Sequence, residues 1–91
     1  MDRREKQYVE VVADISPNGR VTPMEIIWPD GRRFPVDRVL ERRRAESGIL
    51  HVRGYRYTIY TCGRRRFLWR DDDGRFFVER IVRRHESSPG S

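Results

Sequence analysis

The sequence predicts a small all-β fold, an antiparallel meander of about six strands curled into an SH3-like or OB-like barrel. Short apolar runs, rich in β-branched and aromatic residues, show the alternation that is typical of strands. Turn-forming pairs separate these runs, among them Asn18-Gly19, Asp30-Gly31 and Cys62-Gly63. A chain of 91 residues buries only a small core. Curling into a barrel removes the exposed sheet edges that invite aggregation.

The first half of the chain contains three of the expected strands. Tyr8–Ile15 is the first apolar run and Val21–Trp28 is the second. Pro23 and Pro35 have no N–H to donate to a strand ladder, so Pro23 indicates the start of a strand or an edge and Pro35 indicates an edge or a bulge. The third strand follows the Asp-Gly turn and continues through residues 37–47. A helix over those residues is the alternative, because most of them are fair helix formers.

The second half contains the three remaining strands. Residues 47–54 are expected to form a loop with the short apolar middle Ile49-Leu50. The run "YRYTIYT" predicts the clearest strand, and "RFLW" and "RFFVERIV" predict the last two. The domain organisation that follows is a flexible basic N-terminus over residues 1–6, one barrel over residues 7–82 and a disordered polar tail over residues 83–91.

Alternation along these strands assigns their side chains to two faces. The expected core is mainly aromatic, and its members are Trp28, Phe34, Tyr57, Ile59, Phe67 and Trp69. The complementary face would then present an aromatic and cationic surface made of Arg56, Tyr60, Leu68 and Arg70. Single-stranded bases stack on platforms of this composition. The alternative is that another segment or a second subunit covers this strip.

The charge of the chain is strongly positive and almost entirely due to arginine. The formal net charge is +6, from 20 basic and 14 acidic residues, and Lys6 is the one lysine. Arginine suits bidentate phosphate contacts and stacking on aromatic rings, although a GC-rich genome would also enrich arginine over lysine without any function. The positive charge favours polyanions or acidic protein surfaces as partners.

The meander predicts that this charge is unevenly distributed. Strands alternate in direction, so the Pro29-Asp30-Gly31 and Cys62-Gly63 turns should lie at one end, together with the chain start and the end of the last strand. The basic residues expected at that end are Arg3, Arg4, Lys6, Arg32, Arg33, Arg64, Arg65, Arg66, Arg83 and Arg84. At the other end Arg42, Arg43 and Arg44 should meet Asp71, Asp72 and Asp73. One-signed clusters are typical of nucleic-acid sites, and solvated surface charge is the alternative.

Several kinds of site are not expected. His51, His85 and the single cysteine, Cys62, do not have zinc-ligand spacing. "DDDG" lacks the alternate ligands of a calcium loop, so we expect its aspartates to cap a hairpin turn. We find no catalytic constellation, and we therefore expect no enzyme and no cofactor. No apolar run approaches the roughly 20 residues of a membrane helix, so a cytoplasmic protein that does not bind membranes is the default expectation.

A family resemblance adds a biological context. "IIWPDGRRFPVDRVL", "RYTIY", "RFLW" and "RFFVE" together resemble small bacterial all-β domains of unknown function, which occur beside or fused to translesion (Y-family) polymerase-like proteins. The similarity spans Pro23 to Glu79, and it implies a DNA-repair or DNA-synthesis context without assigning any residue a role.

Two functional hypotheses follow. The first is a non-catalytic nucleic-acid-binding module, with DNA favoured over RNA. Its candidate residues are Arg32, Arg33, Arg64, Arg65, Arg66, Arg56 and Tyr60. The second is a protein-interaction module without a nucleic-acid role, either a homodimer or a polymerase-associated adaptor.

Overall fold

Seven antiparallel strands form the fold in the computed structural model, which describes residues 2–48 and 52–83. The strands are β1 (Asp2–Ile15), β2 (Val21–Ile27), β3 (Arg33–Pro35), β4 (Arg38–Ser47), β5 (Val52–Thr61), β6 (Arg64–Asp71) and β7 (Phe76–Arg83). The all-β prediction is confirmed. Residues 38–47 are a strand, so the helix alternative is wrong. The described residues include no helix long and apolar enough to cross a membrane. Ile49-Leu50 and residues 84–91 lie outside the described residues.

The strand order β3-β2-β1-β7-β6-β5-β4 is a meander whose first and last strands pair with each other. β1 and β7 are paired from Asp2↔Arg83 to Val9↔Phe76. Residues 2–6, expected to be flexible, therefore belong to a strand. The expected third strand is divided at residues 36–37, which leaves β3 and β4 as the outer strands. Pro35 thus lies in an edge strand, as predicted.

The sheet curls into a half-barrel around one apolar core. β2 and β5 are separated by three strands in the sheet order, yet Ile26 and Ile59 belong to the same buried cluster. Two hydrogen bonds tie the end of β3 and its connection to β4 onto β5. The Asp37 N–H donates to the carbonyl oxygen of Tyr60 at 2.8 Å, and the Thr61 hydroxyl donates to the carbonyl oxygen of Pro35 at 2.7 Å. The barrel-like prediction is confirmed in this form.

The turn between β5 and β6 fixes which side chains face this core. Cys62 and Gly63 both have positive φ, 52° and 75°, and form a two-residue turn. The resulting register places Tyr57 opposite Leu68. Tyr57, Ile59 and Leu68 are accordingly buried in the core, and the prediction that Leu68 faces outward is wrong.

The same register moves Phe67 and Trp69 to the outer face. Phe67 is 45% exposed, so its predicted burial is wrong. Trp69 is buried as predicted, but in a second cluster with Phe77, whose ring stacks on the indole at a centroid distance of 5.9 Å. Phe34 packs at the margin of the inner core, and Trp28 is half-buried.

Candidate nucleic-acid interface

Two hairpin turns meet at one end of the half-barrel. In the first, the Gly31 N–H donates to the carbonyl oxygen of Trp28 and the Trp28 N–H donates to that of Arg32, both at 2.8 Å. The second is the Cys62-Gly63 turn. Trp28, Arg32 and Cys62 line the same cavity, so the structure brings the two turns together at one end, as the meander predicts. We call this end the basic end.

The sheet is split at the basic end, between β6 and β7. These two strands pair only at Trp69↔Phe77 and Arg70↔Phe76, next to their connecting turn. If this register continued, Arg66 would lie directly opposite Arg80, and like charges in that position are destabilising. The strands instead separate, and the repulsion between the two arginines favours this separation.

The split opens into a cavity of about 530 Å³. Its walls come from the β2–β3 hairpin, the β5–β6 hairpin and the paired strands β1 and β7. The lining residues are Arg4, Ile26, Trp28, Arg32, Phe34, Ile59, Thr61, Cys62, Arg65, Arg66, Phe67, Val78 and Glu79. The cavity is therefore apolar and aromatic with several arginines, and its volume is typical of ligand-binding pockets.

Several arginines of the basic end are already paired with carboxylates. Arg32 Nε lies 2.7 Å from Asp30 Oδ2, and Arg4 Nη1 lies 2.6 Å from Glu79 Oε2. The Arg32 N–H also donates to Asp30 Oδ1 at 3.0 Å. This backbone hydrogen bond, reinforced by the Arg32 guanidinium, holds the pKa of the Asp30 carboxyl below its usual range. Arg33, a predicted site residue, lies 2.7 Å from Glu25.

Three predicted site residues carry the unbalanced charge. Arg64, Arg65 and Arg66 are exposed, and none of them forms an ion pair within residues 2–48 and 52–83. Alternation along β6 points Arg65 to the outer face and Arg64 and Arg66 to the inner face. The three consecutive arginines therefore lie on both faces of the sheet beside the gap between β6 and β7. Arg84, also expected here, lies outside the described residues.

An exposed aromatic surface adjoins these arginines on the outer face. Tyr60 is 40% exposed and pairs with Arg65, while Phe67 follows two residues later on the same face. The Arg56 guanidinium lies 4.4 Å from the Phe67 ring centroid, a cation–π distance. Arg56 thus supports Phe67. Two members of the predicted platform, Arg56 and Tyr60, thus share the outer face with Phe67, which takes the place of Leu68.

Arg70 does not belong to this outer platform. It lies opposite Tyr55, a residue that packs against the inner core. Its predicted outward position is therefore wrong, for the same reason of register that buries Leu68.

The opposite end of the sheet shows part of the predicted charge pairing, because one of its three consecutive arginines, Arg44, meets the aspartate cluster. Arg44 Nη2 lies 3.1 Å from Asp72 Oδ1, and Arg53 lies 3.5 Å from Glu46. Asp71 Oδ1 accepts hydrogen bonds from the N–H groups of Asp73 and Arg75 at 3.0 and 2.9 Å. The aspartate cluster thus caps a turn. Within the described ranges, no three His, Cys, Asp or Glu side chains are grouped so that they could hold a metal ion.

Comparison with protein-family models, with curated proteins and with solved structures found no match.

Proposed function

We propose that this protein is a non-catalytic nucleic-acid-binding module that binds DNA, in preference to RNA, through its basic end. The observation that carries the proposal is the run Arg64-Arg65-Arg66. These cations are exposed, have no carboxylate partner among the described residues and stand beside the exposed rings of Tyr60 and Phe67. Guanidinium groups bind phosphates, and exposed rings stack on bases.

The lack of a carboxylate partner for these arginines among the described residues supports a binding surface over incidental charge. Three adjacent cations repel one another, and a local carboxylate would relieve that repulsion, as Asp30 does for Arg32. At the far end of the sheet Asp72 pairs with Arg44. The basic end thus keeps positive charge that the other end balances. The preference for DNA rests on the resemblance to polymerase-associated domains.

Direct binding measurements test the proposal. The wild-type protein is titrated into labelled single-stranded DNA, single-stranded RNA and duplex DNA at low salt, and the titration is repeated at rising salt. We expect binding to weaken linearly on a log–log scale, with a slope of about −0.7 to −0.9 for each phosphate contacted. Absence of binding to all three at low salt would refute the proposal.

The exposed rings give a second prediction. Tyr60→Ala and Phe67→Ala should each weaken binding of single strands by about 1–3 kcal/mol, the contribution of one stacked base, with the salt slope unchanged. Ile15→Ala is the control, because Ile15 is also an exposed apolar residue, 67% exposed, and lies at the opposite end of β1. An equal loss from the Ile15 variant would show that the aromatic pair has no specific role.

The protein-interaction alternative is favoured by a different feature, the outer strand β4. It has ten residues, it is last in the sheet order, and no described strand pairs with its outer side. Such an edge is a template for strand addition by a second chain. β1 and β7, the first and last strands along the chain, are paired with each other. Sedimentation as a strict monomer at high micromolar concentration would count against a homodimer.

A further inference from the structure

The cavity at the split differs from the exposed outer platform because it leads into the half-barrel. Ile26, Ile59 and Phe34 belong to the inner core, whereas Phe67 and Arg65 lie on the outer face. All five line the same cavity. A cavity lined from both faces of a sheet passes between two strands or around the end of the sheet, and the separation of β6 from β7 opens such a passage at this end.

The inner part of the cavity offers flat apolar surfaces. Trp28 and Phe34 contribute aromatic rings, and the Arg32 guanidinium lies 5.7 Å from the Phe34 ring centroid. Ile59 and Val78 line it from the other hairpin and from β7. The one carboxylate among its described lining residues, Glu79, is bound by Arg4 at 2.6 Å. The lining therefore favours a planar, mainly apolar group that carries no positive charge.

The exposed part of the cavity lining favours an anion. Arg65 and Arg66 are exposed, both line the cavity, and neither forms an ion pair within the described residues. A ligand that combines a flat ring with a neighbouring negative charge would match both parts. A nucleotide within a strand has this composition: the base is the ring, and the phosphates on either side of it carry the charge.

The geometry points to insertion of one unpaired base of a bound DNA strand into this cavity, with its flanking phosphates on Arg65 and Arg66. This inference rests on the proposed function and adds to it a selectivity for single strands. A base held in a duplex is stacked and paired, and its extrusion first costs the free energy of that stacking and pairing. An unpaired base enters without that cost.

The test compares a short oligothymidylate with an abasic strand of the same length, which keeps the phosphates and lacks the bases. Because bases also stack on Tyr60 and Phe67, the wild-type protein should bind oligothymidylate at least about 5-fold more tightly than the abasic strand. Val78→Phe, which adds a phenyl ring to the cavity wall, should lower that ratio by about 5- to 150-fold, the contribution of the one inserted base, and leave abasic binding unchanged. Ile81→Phe is the matched control, because Ile81 is 56% exposed on the same strand and is not among the cavity-lining residues.

The outcomes separate this inference from the proposed function. If both strands bind the wild type equally, or if Val78→Phe leaves oligothymidylate binding intact, base insertion is refuted and phosphate binding stands. If neither strand binds, both proposals fail.

Should circular dichroism show that Val78→Phe does not fold, Trp28→Leu replaces it, since it removes an aromatic wall and should give the same loss. A change in tryptophan fluorescence on addition of laurate but not of oligothymidylate, present in the wild type and lost in Trp28→Leu, would assign the cavity to an alkyl anion and overturn the inference.

Discussion

Replacing Gly54 with alanine should destabilise the fold by at least about 3 kcal/mol, at or above the upper end for forced overpacking. A Cβ atom at this position would lie 2.0 Å from the carbonyl oxygen of Arg70 and 2.9 Å from the Cα of Asp71. Both of these atoms are backbone, so no side-chain rotation relieves the clash. β5 and β6 would have to separate where Gly54 pairs with Asp71. Small domains have only about 5–15 kcal/mol of stability in total, so this loss should be visible in thermal and chemical unfolding.

Gly48→Ala is the matched control for this substitution. Gly48 has no atom within 4 Å of the added Cβ, and its φ lies outside the left-handed region. Its stability should therefore stay within about 1 kcal/mol of the wild type, with a small gain possible from a less flexible unfolded chain. If chemical denaturation gave the two variants equal stabilities, the close approach of β5 and β6 at Gly54 would be contradicted.

Replacing Arg64, Arg65 and Arg66 together with alanine should produce the largest loss of binding. If each arginine contacts one phosphate, the log–log salt slope should become flatter by roughly 2.1 to 2.7. Counterion release contributes little near 1 M salt, so this change corresponds to a ~100- to 500-fold weaker affinity at about 0.1 M salt. Fluorescence anisotropy with labelled single-stranded DNA over a range of salt concentrations measures both quantities.

A second triple variant controls for net charge. Arg43, Arg44 and Arg53 are exposed and lie at the opposite end, where Arg44 and Arg53 are paired with carboxylates. Replacing these three with alanine removes the same three positive charges and should change the affinity much less. Equal losses from the two triple variants would leave nucleic-acid binding in place but would contradict its location at the basic end.

The sequence predicts the strands and turns well because both depend on local chemistry. β-branched and aromatic alternation marks β5, and the positive-φ turn residues mark the ends of hairpins. Pro35 correctly indicates an edge. The pairing of β1 with β7 is not a local property, because it depends on how far the sheet curls. Local chemistry does not predict the split between β6 and β7 either. The like charges of Arg66 and Arg80 oppose each other only when the register of the two strands is known.

The inward position of Leu68 is predictable from the sequence once the length of the β5–β6 turn is taken into account. A two-residue turn at Cys62-Gly63 pairs Thr61 with Arg64, and counting back along both strands pairs Tyr57 with Leu68. Leu68 therefore shares the inner face with Tyr57. Phe67, which alternation alone had placed in the core, moves to the outer surface. The exposed aromatic surface thus follows from turn geometry, whereas the cavity requires the three-dimensional structure.

The most direct test of the central claim is to map the bound DNA on the protein by NMR. The ¹⁵N-labelled protein is titrated with short single-stranded DNA, and shifts are followed at backbone amides, tryptophan indole N–H groups and arginine Nε–H groups. We predict the largest changes at Arg64, Arg65, Arg66 and the Trp28 indole, with little change at Arg44 and Arg53. Shifts confined to the end that contains Arg44 and Asp72, or none at saturating DNA, would contradict binding at the basic end.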